Sequence, residues 1–189
     1  QSESLLAIGA ATRAWQSVAT QFAKAPPIPY ASDTQFESTL SQVLTALAQA
    51  EQMAKSNKLP EAHEVLEQVR DLLTALRQRN GVVTFSDHMN AYHAEMEHAL
   101  KEAPALLSKP LGMPLLMAHV GRLEYLAAQL QSQASVENQR DPDFVSGYQA
   151  VVASVATLRS AVLADDKAAT QRAIAALKAP YSRLFLKSG

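Results

Sequence analysis

Residues 82–103 read VVTFSDHMNAYHAEMEHALKEA, and the rest of the chain is organised around this segment. Thr84-x-x-Asp87 is a capping box, in which a hydroxyl and an acid three residues on satisfy the first free N–H groups of a helix. At about 100° per residue, Phe85, Met89, Tyr92, Met96 and Leu100 fall on one face of that helix. The segment also holds His88, His93 and His98, three of the chain's five histidines. It is the one helix-like segment with no counterpart elsewhere. The residues before it and after it look like two versions of one three-helix unit.

Before it, a first helix is expected over about 4–24. Ile8, Ala11, Trp15, Val18, Ala19 and Phe22 share its apolar face, so Trp15 is expected to be largely buried. Pro26, Pro27 and Pro29 forbid helix and imply an extended crossing loop over 25–31. Asp33 is placed to cap a second helix carrying Phe36, Leu40, Val43, Leu44, Leu47 and Ala50. A turn at Ser56-Asn57-Lys58 leads to Pro60 in the first turn of a third helix. Ala62, Val65, Leu66, Val69, Leu73 and Leu76 line that helix, and Gly81 stops it.

After it, Pro104 and Pro110 bound a short connection, and the pattern returns from Met113. A shift of 108 residues without a gap sets Trp15 on Leu123, Val18 on Leu126 and Phe22 on Leu130. The same shift sets Asp33 on Asp141, Phe36 on Phe144, Val43 on Val151, Leu66 on Ile174 and Gly81 on Gly189. Pro180 stands where the first copy has Leu72 and should kink or divide the last helix. The fold expected is therefore all-α. It is an antiparallel bundle of about seven helices, made of two diverged three-helix repeats plus a central helix. The simplest packing is a four-helix half over 1–103 and a three-helix half over 111–189. Alternatively, the central helix lies between two three-helix halves and completes both.

Bulk properties narrow the function. The chain has 189 residues, a formal net charge of −1 and no basic run, which gives no electrostatic support for nucleic-acid binding. No apolar run approaches the ~18 residues that span a membrane. Cysteine is absent, which removes disulfides, thiolate metal sites and cysteine nucleophiles. The Gln/Ala-rich, cysteine-free composition and the start at Gln1 suggest an exported, periplasmic protein.

The run Asn57-Lys58-Leu59-Pro60-Glu61-Ala62-His63, continuing Glu64-Val65-Leu66-Glu67-Gln68-Val69, resembles the last hairpin of cytochrome b562-like periplasmic bundles. The stretch Asp165-Asp166-Lys167-Ala168-Ala169-Thr170-Gln171 is a weaker version. The resemblance implies an exported four-helix bundle, whose last helix supplies a haem-ligating histidine near its end. That position falls at about Arg77 here, and arginine cannot ligate iron.

Two groups of residues are candidates for chemistry. On the central helix, Met89, His93 and Met96 stand at i, i+4 and i+7, a soft thioether–imidazole set suited to copper or axial haem ligation. On the fifth helix, His119 lies on the inner face with Leu116, Val120, Leu123, Leu126 and Leu130, where an imidazole must be hydrogen-bonded or liganded. Met89, His93, Met96 and His119 are thus the candidate metal ligands. His98 is expected to point away from them and His63 to be exposed. The one Glu-x-x-His, Glu95 to His98, has both ends off the apolar face, so a di-iron carboxylate enzyme is not expected. The functional expectation is a non-enzymatic module holding a transition metal or haem. The alternative is a cofactor-free bundle that docks a protein partner or dimerises.

Overall fold

A computed structural model describes residues 1–188, so the pairing of Gly81 with Gly189 lies outside the described residues. The protein is all-α. Its helices are α1 (Ser2–Phe22), α2 (Phe36–Lys55), α3 (Leu59–Arg79), α4 (Phe85–Leu107), α5 (Gly112–Gln133), α6 (Val136–Arg140), α7 (Pro142–Leu163), α8 (Lys167–Ala176) and α9 (Lys178–Ser188). Among the described residues, no helix is long and apolar enough to cross a membrane.

The chain divides into two compact units, 1–83 and 84–189. The boundary therefore lies before the central helix, and not between 103 and 111 as the simplest packing had it. The cause is the stripe of α4: Met89, Tyr92, Met96 and Ala99 are wholly buried, in a core continued by α5, α7, α8 and α9. The second unit is thus the four-helix bundle, with α8 and α9 together forming its last helix. The first is a three-helix layer in which α1 and α3 flank α2.

Local geometry repeats at the expected offset. The α2–α3 turn closes with Asn57 at φ 59°, and the α7–α8 turn with Asp165 at φ 52°. Lys58 N–H donates to the Met53 carbonyl at 2.9 Å, and Asp166 N–H to the Ala161 carbonyl at 3.2 Å. These are the same left-handed C-terminal motif, 108 residues apart. Likewise Asp33 accepts the Gln35 N–H at 2.9 Å, and Asp141 accepts the Asp143 N–H at 3.0 Å.

Several details depart from expectation. Residues 28–30 form one 3-10 turn inside the proline-rich crossing. Helix α2 begins at Phe36 after Gln35, while Asp33 also accepts from Arg79 Nε at 2.9 Å and Asn80 Nδ2 at 2.8 Å, tying the crossing to the end of α3. Helix α4 runs through Pro104 to Leu107, because burial of Ala103 and Leu106 holds its last turn despite the missing N–H. The short α6 fills the α5–α7 connection. The last helix divides at Leu177, as Pro180 foretells: its ring would clash with the carbonyl four residues back, at Ala176. Trp15 is only half-buried, with its Nε1 donating to the Leu40 carbonyl at 3.0 Å.

The paired turns generate a test. Asn57 and Asp165 are both exposed, so a β-branched residue at either position is penalised through the backbone alone. Asn57→Val and Asp165→Val should each lose about 1–2 kcal/mol in urea unfolding. Losses below ~0.3 kcal/mol would contradict the left-handed geometry at these turns.

Candidate functional site

The capping box places α4 as the sequence foretells, with Thr84 N–H donating to the Asp87 carboxylate at 2.9 Å. At the other end, Gly112 begins α5 hard against α4, where a β-carbon would run into the Leu106 carbonyl. Only glycine permits this close α4–α5 turn, and the turn brings one polar face of α4 onto His119.

That face carries Glu95, His98 and Glu102, at i, i+3 and i+7 and therefore aligned along the helix. His119 is 3% exposed and stands between two of them. Its Nδ1 lies 2.6 Å from Glu95 Oε1 and its Nε2 lies 3.1 Å from Glu102 Oε2. A carboxylate only accepts, so a ring nitrogen that carries a proton donates to the glutamate beside it. Glu102 also receives His98 Nε2 at 3.0 Å. The His98 and His119 rings meet edge-on, with centroids 5.1 Å apart. Arg122, one turn along α5, reaches Glu95 Oε1 with Nε at 2.8 Å. Its Nη2 lies 2.9 Å from His119 Nδ1. Glu95, His98 and His119 each present one ligand-capable atom, all within 4.8 Å of one another. A cleft of about 320 Å³ beside them is lined by His98, Lys101, Glu102, Ala105, Leu106 and Lys109.

The four candidate ligands from the sequence do not assemble. Met89 and Met96 are buried in the apolar core of the second unit. His93 is buried and stacks on Tyr181 with centroids 5.2 Å apart. Its Nε2 lies 3.5 Å from Glu97, which also holds Lys178 at 2.9 Å. His93 and Glu95 are two residues apart and so point about 200° apart around α4. His119 therefore meets the Glu95 side and not the His93 side. His63 is exposed as expected, 3.5 Å from Glu67.

Glu95 and His98 are the pair that the sequence pattern places off the apolar face, and Glu102 is a residue that it does not single out. The signal lies in the sequence: the single Glu-x-x-His of α4 extends to Glu102 four residues on, the next position on the same helix face. It was discounted because it lies off the apolar stripe, yet α5 packs against the stripe's edge and so meets this face as well. A larger cleft lies elsewhere, about 700 Å³ between α2 and α3. It is lined by Ser, Thr, Gln, Ala and Leu side chains with Asp71 alone as a charge, which offers no comparable chemistry. Comparison with protein-family models, curated proteins and solved structures finds no significant match.

The Glu102 carboxyl is held below its ordinary value of 4.5, first by the hydrogen bond from His98; desolvation opposes this as the next largest effect, and the hydrogen bond from His119 adds to the lowering. A depressed folded pKa stabilises the folded state above the unfolded value, and this is lost as pH falls through the folded one. Below about pH 4.5 the parent should therefore lose melting temperature more steeply than Glu102→Gln, whose side chain does not titrate. Parallel acid limbs in the two melting profiles would contradict this coupling.

Proposed function

We propose that the second unit is a binding module for a divalent transition ion, zinc or a metal of similar character, held between α4 and α5. One observation carries the reading: two imidazoles and a carboxylate from two helices converge within 4.8 Å around a histidine that is almost wholly buried. Glu102 is in reach as a fourth ligand or as the partner that orients His119. Nitrogen and oxygen donors suit Zn(II) and its neighbours, whereas Cu(I) favours the thioethers that lie buried elsewhere in the core. Three protein ligands leave a fourth position of a tetrahedral ion for water or a bound anion. Binding would compete with protons, because an imidazole ligates only through a nitrogen that carries none.

One observation favours the cofactor-free alternative. Arg122 already satisfies Glu95 at 2.8 Å, so without metal the same residues make an ion-pair clamp joining α4 to α5. Titration with Zn(II) and Co(II), read by calorimetry and visible absorption, separates the two. The metal-module reading predicts one equivalent bound, a tetrahedral Co(II) spectrum, and stabilisation of about 2.7 kcal/mol at a hundredfold excess over Kd. Glu95→Gln and His119→Ala should abolish binding, and His63→Ala should leave it unchanged. Equal binding by the parent and Glu95→Gln would leave the clamp as the account of the cluster.

A further inference from the structure

The two copies differ in what covers them. In the second unit, α4 packs against α5 and α8–α9, the counterparts of α1 and α3. Among the described residues no helix packs on the equivalent face of the first unit as α4 does on the second, and the consequence is visible residue by residue. Leu123, Leu130, Ile174, Leu177 and Tyr181 are all buried, at no more than 4% exposure. Their counterparts 108 residues earlier, Trp15, Phe22, Leu66, Val69 and Leu73, are all only half-buried. The core beneath them is correspondingly broken into two small clusters, one around Ile8, Ala50 and Val65 and one around Phe36, Leu40 and Leu76. The second unit has a single continuous one.

We propose that the α1–α3 face of the first unit docks an amphipathic helix of a partner protein, about 20 residues long, with an apolar stripe like that of α4. The repeat itself specifies the occupant. On the equivalent face of the second unit, Met89, Tyr92, Met96, Ala99, Ala103 and Leu106 supply the stripe. There Glu97 of α4 pairs with Lys178 at 2.9 Å. The position of Lys178 is held by Arg70 in α3, which Glu67 on the same helix already engages, so the docked helix is held here by its apolar stripe and not by an ion pair. Ala11 and Ala14 stand where the second unit has His119 and Arg122, so this face lacks the polar clamp and selects by apolar fit alone along α1.

The experiment uses the full chain and a synthetic peptide of residues 84–108, the complement that the repeat identifies. Trp15 is the only tryptophan, it lies on the proposed face, and the peptide contains none. Docking should shift its emission to shorter wavelength with a saturable, single-site dependence on peptide. Leu66→Glu, at a half-buried position that need not disturb folding, should weaken binding at least tenfold, as should Tyr92→Glu within the peptide. Circular dichroism of Leu66→Glu confirms that the variant remains helical. An unchanged Trp15 emission, or a shift that Leu66→Glu leaves intact, would overturn the proposal. A shift that depends on protein concentration alone, with dimers in sedimentation, would instead assign the face to a second copy of this chain and overturn it equally.

Discussion

Burial of the α4 stripe is the constraint on which the second unit depends. Five residues at helical spacing, Met89, Tyr92, Met96, Ala103 and Leu106, go into one core with α5, α7, α8 and α9. Each large side chain among them contributes about 1.5–3 kcal/mol on leaving water. The Tyr181 hydroxyl, donating to the Met89 carbonyl at 3.1 Å, fastens the two ends of the unit together across this core.

The polar cluster follows from the same packing. Once the stripe fixes the rotation of α4, and the Gly112 turn fixes α5 close beside it, Glu95, His98 and Glu102 have to face His119. The cost of burying that imidazole is met by carboxylates on either side, and the set that satisfies it is also a set that can ligate a metal. Ion-pair clamp and metal site are two uses of one geometry. They differ only in whether protons and Arg122 or a divalent ion balance the carboxylates.

Much of this was legible in the sequence. The capping box at Thr84, the Asn57 and Asp165 turns and the division at Pro180 are local, written in residues whose backbone chemistry leaves few options. His119 stood out because a polar group on an apolar face requires a partner. What was not legible is tertiary. Nothing local says whether α4 packs forward or backward along the chain, since both flanking repeats offer an apolar face. The partner of His119 was sought on the stripe, whereas α5 meets α4 at the stripe's edge, where Glu95 and Glu102 lie. Trp15 was expected deep in a core because its helical phase is right. Its partial exposure reflects the missing fourth helix of the first unit, which periodicity within α1 cannot reveal.

The central claim is that α4 completes the second unit and leaves the first one open. Hydrogen exchange followed along the intact chain tests it most directly, because amide protection reports the free energy of opening of each cooperative unit. The account predicts that amides of α4, α5, α7 and α8 share one high level of protection, with those of α1 and α3 clearly lower and α4 never grouped with them. Protection of α4 at the level of α1 and α3, with α5 and α7 distinct, would contradict it.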